Sequence, residues 1–162
     1  MKIDNLKDLY LAELQEARSF EDQIGTALGD LSAKASDPAL KAFLEGDQPE
    51  AQGHRDKVAG LIGSHGAEPS AHEDQTMRSI LEGARDWADK IDDPAVRDAA
   101  IIASAQRVQH YEICVYGTLA AWAKQLGLDD LNTLLRILDE EKVADERLSE
   151  LAKKTVNAEA AA

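Results

Sequence analysis

Apolar residues recur along this chain at intervals of three and four, the period that gathers them on one side of an α-helix. Leu14, Ala17, Ile24, Leu28 and Leu31 form a first seam, and Leu40, Phe43, Val58 and Leu61 a second. Ile101, Ala105, Val108, Val115, Leu119, Trp122 and Leu126 make a third, and Leu131, Leu134, Leu138, Leu148 and Ala152 a fourth. Capping signals set the boundaries. Asp37-Pro38 and Asp93-Pro94 each place an Asp at an N-cap and a Pro at the first helical position, and Asp129 stands ready to cap a helix after Gly127. The spacing predicts helix A from Asp4 to Ala35, helix B from Pro38 to His65, a shorter helix from His72 to Ile91, helix C from Pro94 to Leu126 and helix D from Asp130 to Asn157. Residues 1–157 read as one domain, and the tail 158–162 is expected to fray.

Helices A and B, and again C and D, then form antiparallel hairpins with turns at Ser36/Asp37 and Gly127/Leu128. The segment from Gly66 to Asp93 is too long for a tight turn and holds the short helix, so it carries the chain from one hairpin to the next. One such crossover fits an all-α, ferritin-like four-helix bundle better than an up-down-up-down one. An offset of 91 residues pairs Leu28 with Leu119, Leu40 with Leu131 and Leu44 with Leu135, a weak internal repeat of the hairpin.

All four seams are interrupted at the same depth. Glu21 is followed 29 residues later by Glu50 and then by His54; Glu112 is followed 29 residues later by Glu141 and then by Asp145. With about 1.5 Å of rise per residue, these six side chains lie in one layer roughly 20 to 26 Å from the hairpin ends. Asp47 also falls on the inward face of helix B. Gathering carboxylates in a core is unfavourable, because each loses hydration and repels its neighbours. No Lys or Arg occupies a seam position in this layer, so divalent cations are the expected counter-charge. Carboxylate oxygens with one imidazole suit iron or manganese. Residues four apart share a helix face, so Glu50 with His54 and Glu141 with Asp145 can each supply two ligands, while Glu21 and Glu112 bridge or terminate two ions. Two other readings stay open: a metal-free polar layer that fixes helix register, and solvated faces that only mimic a seam.

Composition narrows the function classes. Aromatic residues make up 4% of the 162 residues, and the formal net charge is -13. Such acidity opposes capture of phosphate backbones or anionic membranes, so nucleic acid and membrane are not expected partners. No apolar run approaches the roughly 18 residues needed to span a bilayer, and the N-terminus does not read as a secretory signal; a cytoplasmic protein is expected. Cys114 is the lone cysteine, which rules out an intrachain disulfide and a multi-thiolate zinc site, and it is expected to be a packed, inert thiol. His110 is expected in packing or at a dimer contact, and His65 and His72 in solvent. Trp87 and Trp122 are expected as core or interface anchors. Tyr116, one turn beyond Glu112, is placed either to donate to a ligand carboxylate or simply to pack. Pro49 removes a backbone donor inside helix B and is expected to kink or interrupt it.

The stretch from Val96 to Ile102, continuing through Ala105-Gln106-Arg107-Val108-Gln109-His110-Tyr111-Glu112 to Tyr116-Gly117-Thr118-Leu119-Ala120, resembles the YciE/YciF family of ferritin-like bacterial stress proteins. Leu138-Asp139-Glu140-Glu141-Lys142 with Asp145, and Phe20-Glu21-Asp22-Gln23, agree with it. The resemblance implies a ferritin-like bundle, a homodimer and a di-metal centre of the di-iron carboxylate type. It fixes no reaction; oxygen or peroxide chemistry with a small-molecule oxidant is the natural class for such a centre. The chain departs from the Glu-x-x-His pattern common in ferritin-like proteins, since Glu50 and His54 are four apart and Asp145 stands where a second His is expected. Gln109 also replaces a common Glu.

Overall fold

The structure, a computed structural model, describes residues 2–70 and 72–162. Five long helices carry it: α1 (Leu6–Lys34), α2 (Pro38–Ser64), α3 (Gln75–Lys90), α4 (Pro94–Leu126) and α5 (Leu131–Leu151). A π-helical stretch, Ala152–Val156, and a last short helix, α6 (Asn157–Ala160), prolong α5 toward the C-terminus. The starts obey the capping logic. Asp37 accepts from the backbone N–H of Ala39 and Leu40, Asp93 from that of Val96, and Asp74 from that of Met77, so α3 begins three residues later than the spacing predicts. Gly127 ends α4 in the left-handed region, at φ 65°, a conformation that costs a glycine nothing. The N-cap of α5 is Asp130 rather than Asp129, and its side chain makes no cap hydrogen bond.

The hairpins α1–α2 and α4–α5 pack side by side as a ferritin-like four-helix bundle, with α1 against α4 and α2 against α5. The crossover helix α3 lies outside, on α4 and α1. Asp98 ties the start of α4 to the α1–α2 turn, accepting from the N–H of Ser36 at 2.8 Å and of Asp37 at 2.7 Å. Arg97 adds a hydrogen bond to the carbonyl of Lys34 at 3.1 Å. The seam residues form the core: Leu14, Ile24, Leu40, Val58, Ile101, Leu119, Leu134 and Leu148 are all buried. No helix among the described residues is long and apolar enough to cross a membrane.

Pro49 sits inside α2 without ending it. Pro49 and Glu45 are both exposed, so the donor that proline lacks is missing on the solvent side of α2, where an unpaired carbonyl costs least. The internal repeat is also looser than its spacing implies, since Leu44 is fully buried whereas Leu135 is 41% exposed. Cys114 is exposed rather than packed, because it lies on the outer face of α4 between the inward positions Glu112 and Val115. Trp87 stands 54% exposed, which excludes the core role expected of it and leaves that of an interface anchor.

Candidate metal centre

One ionisable side chain from each helix of the bundle enters the interior at midspan: Glu21 from α1, His54 from α2, Glu112 from α4 and Glu141 from α5. None is more than 4% exposed. His54 is the hub. Its Nδ1 lies 2.8 Å from Glu141 Oε1 and 3.6 Å from Glu21 Oε1, and its Nε2 lies 2.7 Å from Glu140 Oε2. Tyr116 donates its hydroxyl to Glu21 Oε1 at 2.5 Å. Gln109, with its amide nitrogen toward α5, donates to Glu141 Oε2 at 2.8 Å and to the Glu141 carbonyl at 3.1 Å. The second oxygen of Glu21, Oε2, is buried with no hydrogen-bond partner.

The electrostatics follow from crowding negative charge away from water. Burial, and then repulsion from Glu141, Glu21, Asp47 and Glu50, pushes the Glu112 carboxyl well above the ordinary range. Burial also raises Glu21 and Glu141, although hydrogen bonds from His54 oppose it in both. Asp47 is raised to about 7 by burial and by the charges of Glu141 and Glu50. Burial works against a charged His54, but hydrogen bonds to Glu141 and Glu21 outweigh it and hold the imidazole at about 10.

A groove of about 480 Å³ opens between α2 and α5, lined by Asp47, Glu50, Arg136, Glu140 and Arg147 among others. These two helices pack less closely than the other neighbouring pairs of the bundle, and the groove leads toward His54 from outside. Two sets of side chains therefore offer ligand atoms within 4.8 Å of one another: Glu21, His54 and Glu141 inside, and Glu50, His54 and Glu140 toward the groove.

Of the six residues that the sequence spacing singles out, Glu21, His54 and Glu141 meet in the interior, and Glu112 is buried within reach of their charge without joining either ligand set. Glu50 is exposed and reaches His54 from the groove side. Asp145 is not brought to the cluster. It is one turn farther along α5, 3.4 Å from His110 Nε2 and 3.5 Å from Gln106 Nε2, because α5 turns that face toward α4. Glu140 and Gln109 escaped the seam argument. Glu140 is next to Glu141 and so rotated about 100° from it; only the groove side of His54 makes that direction useful. Gln109 had a visible signal, since it lies three residues before Glu112 on the same face.

Fold and interior together define a class of ferritin-like bundles with a carboxylate-rich polar centre. The chain matches the domain of unknown function DUF892 over residues 5–161. It is 33% identical over 162 residues to protein YciF of Escherichia coli (strain K12), covering 99% of this chain and 98% of that protein. The crystal structure of the E. coli stress protein YciF superposes with a TM-score of 0.89 at 32% identity, covering 96% of this chain and 99% of that one. YcfI from Rhodopseudomonas palustris, for which a structural role has been put forward, gives 0.88 at 36% identity over 91% and 95% of the two chains. This chain belongs to the DUF892 family.

Proposed function

We propose that this protein is a ferritin-like stress protein whose interior cluster binds iron or manganese. The observation that carries the reading is Glu21 Oε2, a carboxylate oxygen of a fully buried residue that nothing among the described residues satisfies. A buried, unpartnered acceptor costs about 1–3 kcal/mol or more when charged, and a cation relieves it. The donor set fits: carboxylate oxygens and one imidazole, with no thiolate. Tyr116 orients Glu21, and Gln109 orients Glu141, as supporting hydrogen bonds do around metal ligands. The two ligand sets share His54, and a neutral imidazole has one free lone pair. Two ions would therefore divide the carboxylates while only one of them took the imidazole. Such metals, when bound, supply redox chemistry toward oxygen or peroxide. The protein is further read as a homodimer rather than a storage cage, which light scattering resolves by mass.

A second reading rests on His54. Held protonated by Glu21 and Glu141, the imidazolium supplies positive charge of its own, and the layer then serves packing and register rather than metal. Metal analysis of protein purified without chelator separates the two. The metal reading expects bound iron or manganese, lost in large part in Glu112→Ala and Glu141→Ala but kept in Glu13→Ala. Equal metal in all of them overturns the ligand assignment. No metal in the wild type, and no change in melting temperature on adding Fe(II) or Mn(II), leaves the metal-free layer.

A further inference from the structure

At the end of the bundle remote from the α1–α2 turn, a second polar cluster joins three elements: Lys7 and Tyr10 of α1, His65 at the C-cap of α2, and Asp130 before α5. Asp130 is 6% exposed and leaves the helix behind it uncapped. Its Oδ2 instead accepts from the Tyr10 hydroxyl at 2.5 Å and lies 2.6 Å from His65 Nε2. The other ring nitrogen of His65, Nδ1, lies 2.9 Å from Lys7 Nζ, which is 3.4 Å from Nε2. Tyr10, fully buried, meets the His65 ring edge-on with centroids 6.0 Å apart and holds it in place.

The order is carboxylate, imidazole, amine. With its proton on Nε2, His65 donates to Asp130 and turns the lone pair of Nδ1 toward the Lys7 amine, the tautomer that a general base needs. Among the influences on the amine, burial lowers its pKa and prevails over the charge of Asp130, which favours the ammonium form. Lys7 is half-buried, so the amine keeps an open approach from solvent while its base is sheltered. Structural clamping alone needs only an ion pair; it does not need an imidazole between the amine and the acid.

We propose that Lys7 is a nucleophilic lysine and a preferred site of acylation by small acyl thioesters. The Nζ lone pair attacks the thioester carbonyl carbon, forming the N–C bond as the C–S bond breaks and the thiolate leaves. The proton shed by the amine goes to His65 Nδ1, and Asp130 holds the resulting imidazolium until the proton passes to the thiolate or water. The product is a neutral amide at the rim of the cluster, which removes one positive charge beside Asp130. None of this draws on the midspan centre.

The test is site-resolved mass spectrometry of the full chain incubated with acetyl-CoA, following acetylation of each lysine with time. Lys124 and Lys153, both exposed, serve as internal references. Lys7 is expected to react at least about tenfold faster than either, a threshold set below the roughly 100- to 10,000-fold that a positioned general base contributes. His65→Gln, which keeps a hydrogen-bonding side chain but no base, and Asp130→Asn are expected to bring it down to the reference rate, with melting curves reporting that each variant is folded. A Lys7 rate at or below that of Lys124 in the wild type overturns the proposal without recourse to any variant. So does an unchanged Lys7 rate in folded His65→Gln.

Discussion

The two hairpins carry the same acidic spacing, yet they load the centre differently. In α1–α2, the helix that contains Pro49 and is flanked there by Gly46 and Gly53 still delivers His54, the hub of the cluster, to a position 1% exposed. Its Glu50 stays outside. In α4–α5, whose helices hold no internal proline, both acids of the ruler go inside, while Asp145 turns to His110 and Gln106. The side chain that follows the ruler by four residues is thus decisive in one hairpin and peripheral in the other. Spacing along the chain sets depth in the bundle; it does not set which face a helix turns to its neighbours, and that rotation is decided by packing across all the helices together.

The largest effect that would break this contrast is at the third residue of each ruler. His54→Ala leaves Glu21 and Glu141 buried without their counter-charge, and in metal-free protein near neutral pH it is expected to cost about 3–5 kcal/mol by urea denaturation. Asp145→Ala faces a His110 that is 68% exposed and should cost less than about 1 kcal/mol. Similar costs for both would mean that the hairpins are equivalent after all. The advantage of wild type over His54→Ala has a definite pH signature. A group whose pKa is raised on folding contributes fully below its unfolded value, about 6.5, and loses that contribution as pH climbs through about 10.

Next in size is the pair that the internal repeat equates. Leu44→Ala should cost about 2–5 kcal/mol and Leu135→Ala within about 0.5 kcal/mol, since only the first empties a packed site. Tyr116→Phe then removes the donor to Glu21, for a loss of about 1–3 kcal/mol in metal-free protein, and a smaller loss once Fe(II) or Mn(II) is added. The last expected change concerns the pH dependence set by Asp47. Its folded pKa of about 7 exceeds the ordinary carboxyl value, so the folded state binds more protons and stability falls as pH rises from about 4 to 7. Asp47→Asn should flatten that fall in a series of denaturant melts; an unchanged slope would place the repulsion elsewhere.

Much of the fold was legible because its signals are local. Asp-Pro pairs fix the starts of α2 and α4 and Gly127 the end of α4, while the seams name only part of the core and miss Tyr10, Phe20, Ile62 and Ile102 among its largest buried side chains. The centre was legible as far as burial on one face could be inferred, which gave Glu21, His54, Glu112 and Glu141. What escaped depends on long-range neighbours. Glu140 matters only because α2 presents His54 to it, and His65, expected in solvent, is drawn in by Asp130 from the start of α5. Cys114 faces solvent because of its angular position on α4 between Glu112 and Val115, which the apolar character of a thiol does not reveal.

His54 comes from one hairpin and its partner Glu141 from the other, an arrangement expected to divide folding into two acts. Each hairpin closes through local contacts across a short turn, which is fast, whereas the imidazole and its carboxylate meet only when the finished hairpins dock across α2 and α5. Their pairing should therefore be absent from the early nucleus, with φ-values near zero at His54 and Glu141. Changes at the centre would then leave the folding rate nearly untouched and act on how long the native state survives.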